Sequence, residues 1–125
     1  MSLTDAQRTR YARHLLLAEL GELGQSRLLA SVVRPNADAD VGTLEVARSY
    51  LLRAGVRIST DSCEEPSLLL PTSAFVARLA GAAELTEAAR ALSGAFAAVE
   101  AIKAAVGLGQ AGTLPADFSL VSEAV

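Results

Sequence analysis

A chain of 125 residues that is 51% apolar and 20% charged is long enough for one hydrophobic core and too apolar to be disordered. Its formal net charge of −3 gives no basic footprint, which argues against nucleic acid or an anionic membrane as partner. One cysteine, Cys63, cannot make an internal disulfide, and one histidine, His14, cannot complete a zinc site with it. No basic-then-apolar leader opens the chain, and its most apolar stretch, Ala91 to Leu108, is broken by Glu100 and Lys103. The expectation is a reduced, cytoplasmic, single-domain protein.

The first element is a helix with a strong start signal. Thr4 and Gln7 form a Thr-x-x-Gln capping box with Leu3 at the staple position, so the helix begins at Asp5. It carries Arg8, Arg10, Arg13 and His14, then Leu15-Leu16-Leu17, and runs into Gly21 and Gly24. Taken alone, the arginines read as a solvated face. A second short helix, Gln25 to Ala30, completes an N-terminal helical arm over residues 1–30.

Residues 31–112 read as the core. Val32 and Val33 start a β-branched run that Pro35-Asn36-Ala37-Asp38-Ala39-Asp40 breaks. Thr43 to Ala54 then has helical spacing, Gly55 stops it, and Val56, Ile58 and Thr60 alternate as a strand up to Asp61. Asp61 follows Gly42 by about 20 residues, where a dinucleotide-type fold keeps its ribose acid. The glycine cradle of a phosphate loop is reduced to Gly42, and Asp38 and Asp40 place negative charge where a polyphosphate would lie. Asn36, Asp38 and Asp40 also alternate like the opening of a calcium loop, but Val41 and Ala47 stand where its glycine and glutamate are needed.

After a loop with Glu64-Glu65-Pro66 as its turn signal, Leu68-Leu69-Leu70 reads as a third, buried strand, parallel to the others because the connections cross over. Pro71 to Leu79 reads as a strand end followed by a helix start. From Thr86, Leu92, Phe96, Val99, Ile102 and Val106 recur at helical spacing until Gly107. Gly94, Ala98 and Ala101 lie near one another on that helix and allow close approach of a neighbour, core packing being the simplest reason. The tail, 113–125, holds one possible edge strand at Ser119 to Val121. The whole is an α/β chain: a truncated Rossmann-like three-layer domain with a short, mainly parallel sheet.

Leu3-Thr4-Asp5, Arg10-Tyr11-Ala12-Arg13-His14-Leu15-Leu16-Leu17 and Gly21-Glu22-Leu23-Gly24-Gln25 together resemble the N-terminal signature of the ThiF/MoeB/HesA family, relatives of the ubiquitin-activating enzymes. The likeness continues through Val46 to Val56 and returns at Gly94 to Lys103. The resemblance implies a fold that adenylates the terminal glycine of a ubiquitin-like sulfur carrier with Mg-ATP. It also implies that Arg13, the second arginine of Arg-Tyr-x-Arg, reaches a partner's nucleotide across a dimer. In the segment similar to the family's Thr-Asp-Asn-Phe-x-x-Arg, Ser73 and Ala74 stand at the metal-binding Asp-Asn pair, and a hydroxyl is a poor Mg²⁺ ligand. The family's middle, with its adenylating arginine and lysine and its CxxC zinc pairs, has no counterpart here.

Two functions remain open on these residues. The favoured one is a non-catalytic ThiF/MoeB-like protein with no cofactor, serving as a dimerising or accessory subunit beside a second copy or a full-length paralogue, and reaching a ubiquitin-like carrier through it. Its apolar faces at Leu68 to Leu70 and Leu92 to Val106 favour association. The alternative is an ATP-binding adenylyltransferase with a remodelled loop, using Gly42, Asp61 on the ribose, and Arg13 or Arg78 on phosphate. Cys63, beside Glu64 and Glu65, is expected to be a passive thiol.

Overall fold

The computed structural model describes residues 3–11, 21–60, 65–107, 112, 114 and 118–121. Helix α1, Asp5–Arg10, starts where its capping box requires: Gln7 N–H donates to Thr4 Oγ1 at 3.2 Å and Thr4 N–H to Gln7 Oε1 at 2.9 Å. The helix closes at Tyr11, whose side chain, like that of Leu3, is buried. Helix α2, Gly21–Ala30, begins four residues before the expected Gln25, with Gly24 buried inside it rather than breaking it. Arg8 Nη2 reaches Glu22 Oε1 at 2.8 Å and ties α1 to α2, an exposed pair worth about 0–1 kcal/mol.

Gln25 does more. Its side chain is fully buried and its Nε2 donates at 2.8 Å to the carbonyl of Ala54, so the arm supplies a partner for the end of the next helix. Gln25→Leu keeps the volume and leaves that carbonyl short of a donor. It should cost about 1–2 kcal/mol in urea denaturation; a variant as stable as wild type would remove this role.

Strand β1, Val32–Val33, helix α3, Val41–Ala54, and strand β2, Arg57–Ile58, form a parallel unit with Val32 opposite Arg57 and Val33 opposite Ile58. Helix α3 starts two residues before Thr43 because Asp40 caps it, and it buries Thr43, Ala47, Leu51 and Ala54 on one face. Gly55 ends it at φ 98°, a left-handed turn that its lack of Cβ permits.

The expected third strand shrinks to one parallel bridge, Leu68 to Pro35, so its direction is as read and its extent is not. Two features shorten it. Pro66 and Pro71 bound the segment, and the Asn36 side chain replaces the ladder, accepting from Leu70 N–H at 2.7 Å and donating to Leu70 O at 3.0 Å. Leu68 and Leu70 are buried, whereas Leu69 is 75% exposed, so the run is not uniformly buried. The described residues therefore make an α/β chain with a two-stranded parallel sheet.

Helix α4, Ser73–Ala80, is capped by Thr72 and closed by Gly81; a short 3₁₀ turn, Ala83–Leu85, leads to α5, Thr86–Val106, closed by Gly107. Helix α5 packs chiefly along α3. Its buried face is Ala89, Ser93, Gly94, Ala98 and Val106. The expected stripe is thereby corrected: Val99 is 49% exposed and Leu92, Phe96 and Ile102 are only partly buried. The reason is the closeness of α3. A Cβ on Gly94 would lie 2.7 Å from Val46 Cβ and 2.8 Å from the Thr43 carbonyl oxygen, so only small residues fit there. The edge strand expected at Ser119 to Val121 is not formed; Leu120 instead donates its N–H to Leu79 O at 2.9 Å and packs beside Val76 and Leu79. Among the described residues no helix is long and apolar enough to cross a membrane.

Candidate functional site

The loop from β1 to α3 is folded back onto the segment before α4, with Asp40 N–H donating to Pro71 O at 2.8 Å. This brings the start of α3, the start of α4 and the first turns of α5 around one carboxylate. Asp40 Oδ2 accepts from Thr43 N–H, Thr43 Oγ1 and Arg90 Nε, each at 2.9 Å, and Oδ1 accepts from Ser73 Oγ at 2.7 Å. Its side chain is only 2% exposed. Burial pushes the Asp40 carboxyl up, but hydrogen bonds from Ser73, Arg90 and the Thr43 backbone and hydroxyl outweigh it and hold the group far below the usual carboxylate range. Arg90 is correspondingly raised, by Asp40 first and then by Glu87, which pairs with its Nη1.

The N-terminus of a helix draws anions because its first N–H groups lack partners and its dipole is positive there. In α3 that position is filled by the chain's own Asp40. Gly42 belongs to the same arrangement: a Cβ on it would meet Arg90 Cδ at 2.6 Å and Nε at 2.8 Å, so the missing side chain leaves the channel in which Arg90 crosses the helix start. Of the other candidate residues, Arg78 lies on α4 with its guanidinium 5.1 Å from the centre of the Phe75 ring. Arg13, Asp61, His14 and Cys63 lie outside the described residues. Ser73, at the position similar to the family's metal-binding aspartate, donates to Asp40, and Ala74 follows it in α4. Asp38 accepts from Asn36 at 2.7 Å at the surface.

Arg90 and Thr43 did not stand out in the sequence, and Ser73 stood out only as a poor Mg²⁺ ligand, not as a donor to Asp40. Asp40 and Thr43 carried a local signal, an Asp three residues before a Thr at a helix start. Arg90 carried none, being 50 residues from its partner.

A second feature lies beside Pro71. A groove of about 560 Å³ opens between the sheet edge at Leu68 and Leu69, Phe75 of α4, and Ser93, Phe96 and Ala97 of α5. Glu100 stands at its rim, accepting from Gly112 N–H and Lys103 Nζ, each at 2.9 Å; the Gly112 bond, then Lys103, lowers its pKa. No family model matches the chain, and no curated protein or solved structure matches it either.

Proposed function

We propose that this chain is a non-catalytic, ThiF/MoeB-like accessory subunit with a truncated Rossmann-like core. The observation that carries the reading is Asp40, a buried anion already bonded to four protein donors at the helix start where a nucleotide phosphate would be held. A phosphate arriving there would face a second negative charge and would have to displace Arg90. Adenylation depends on positioning and charge neutralisation around the phosphates, and this position works against both. Leu23 on α2, with Val41, Tyr50 and Leu52 on α3, are exposed apolar side chains that suit a protein partner. Arg13 is the residue by which such a subunit would serve its partner's nucleotide, a guanidinium being suited to bidentate phosphate contact.

One experiment with two arms tests this. Alone, the chain should bind no ATP at millimolar concentration with or without Mg²⁺, and should give background pyrophosphate exchange. Mixed with a complete ThiF/MoeB-like relative from the same source, it should form a complex by light scattering, and Arg13→Ala should lower the exchange rate of that complex. Saturable ATP binding by the isolated chain would replace this reading with the nucleotide-binding one. Failure to associate with a copy or a relative would remove the subunit role.

A further inference from the structure

The outward face of α3 carries side chains whose order is complementary to its own reverse. Val41, Glu45, Arg48 and Leu52 follow one another at i, i+4, i+7 and i+11, so at 3.6 residues per turn they fall on one narrow stripe of the helix. The stripe is turned away from Thr43, Ala47 and Leu51, which the fold buries. At its two ends Val41 is 73% and Leu52 46% exposed, more than a helix with no partner on that face needs. Between them, Arg48 Nε lies 3.6 Å from Glu45 Oε1, too far for a hydrogen bond, so each charge keeps capacity for a further partner.

We infer that this stripe is a self-pairing surface: two copies of the chain pack α3 antiparallel about a twofold axis, Val41 against the partner's Leu52 and Glu45 against the partner's Arg48. Both pairs are centred on one point of the helix, between Val46 and Ala47, so a single antiparallel register forms them together. A contact about a twofold axis needs a patch complementary to itself. This stripe is one: apolar side chains meet at both ends, and a carboxylate meets a guanidinium twice at the centre. A parallel pairing would set Glu45 on Glu45 and Arg48 on Arg48, so the charges also choose the direction. The spacing of four, three and four residues is that of the seam between helices packed side by side at a small crossing angle. At 14 residues α3 is about 21 Å long. One helix on one helix of that length is a smaller contact than the about 1,000 Å² that a stable interface clears, so the dimer is weak and forms as concentration rises. The inference rests on the accessory-subunit reading, whose partner it names as a second copy of the chain.

Sedimentation equilibrium of the full chain in low salt, taken up to about 1 mM, should show a monomer–dimer equilibrium. Glu45→Arg sets two positive side chains against each other at the axis, and Arg48→Glu sets two negative ones; each should weaken the dimer by about tenfold. Mixed in equal amounts, these two variants should pair with each other at least about tenfold more tightly than either pairs with itself, because every contact across the axis is then of opposite sign. The double swap in one chain, Glu45→Arg with Arg48→Glu, should return to within about threefold of wild type. Circular dichroism checks that each variant is folded. Leu52→Gln, at an exposed position, should weaken the dimer by about fivefold and stands in if a charge variant folds poorly. A wild-type chain that stays monomeric overturns the inference, as do single charge variants that dimerise like wild type or a mixture that gains nothing. A monomer that binds a complete ThiF/MoeB-like relative, and loses it on Leu52→Gln, would give this face to the relative and leave the subunit reading standing. Failure of the subunit reading itself is separate, since it shows as saturable ATP binding by the isolated chain.

Discussion

Gly94→Val should destabilise the chain by about 3–5 kcal/mol, a large part of the stability of a domain this size. At Gly94 the first added carbon already sits 2.7 Å from Val46 Cβ and 2.8 Å from the Thr43 carbonyl oxygen. Neither atom can give way alone, because the Val46 Cβ and the Thr43 carbonyl are both fixed to the backbone of α3. Helix α5 must therefore draw away from α3, opening the layer that holds Ala47, Leu51 and Ala98, all fully buried. Gly94→Ala separates this clash from helix propensity. A Gly to Ala change inside a helix is worth about 1 kcal/mol in favour of folding, whereas overpacking costs about 1–3 kcal/mol, so a net loss of about 1 kcal/mol is expected. Adding Val46→Ala removes only the Val46 Cγ1 contact at 2.8 Å and keeps its Cβ, so it should recover a small part at most, the remainder belonging to that Cβ and the carbonyl. Equilibrium urea unfolding measures all four proteins, and a Gly94→Ala chain more stable than wild type would show that the two helices are not held that close.

The same contact explains which parts of the fold were legible in the sequence. Some helix ends were, because capping is local: Thr4 with Gln7, Gly55 and Gly107 act within a few residues of themselves, whereas the starts of α2 at Gly21 and α3 at Val41 were not. The buried face of α5 was misread because large apolar residues were taken as the core stripe. Where α5 comes closest to α3 the space admits only Gly94, with the small Ala98 packed beside Ala47 and Leu51, and Phe96 turns to the groove instead. The third strand was legible in place and direction but not in length, since the replacement of its ladder by the Asn36 side chain is a tertiary event. The site divides in the same way. Gly42 and Asp40 stood out by their position after β1, but their meaning depends on Arg90, which reaches them only once α5 has packed on α3. Read without Arg90, Gly42 is the remnant of a phosphate loop; with it, Gly42 is the space for a guanidinium.

Asp40→Asn should lower stability at neutral pH by about 2–4 kcal/mol, combining a weakened helix cap with the loss of the charge that Arg90 faces in a nearly closed site. The amide oxygen can take the Oδ2 position and keep Thr43 and Arg90 as donors, now without the charge, while its NH₂ takes the Oδ1 position and Ser73 Oγ must turn from donor to acceptor. The loss should depend on pH in a definite sense. The folded-state pKa of Asp40 is depressed below its unfolded value, so its contribution is complete above the unfolded pKa of about 3.9 and is lost as pH falls through the folded value, which lies below the usual carboxylate range. Wild type should therefore lose stability steadily as pH drops from about 5 toward 2, whereas Asp40→Asn, with nothing to protonate there, should lose less. The gap between the two proteins should be widest near neutrality and narrow on acidification. Thermal unfolding of both across that range measures it. A gap that stays constant with pH would mean that the carboxylate acts only as a neutral cap and that its charge is not what closes the start of α3.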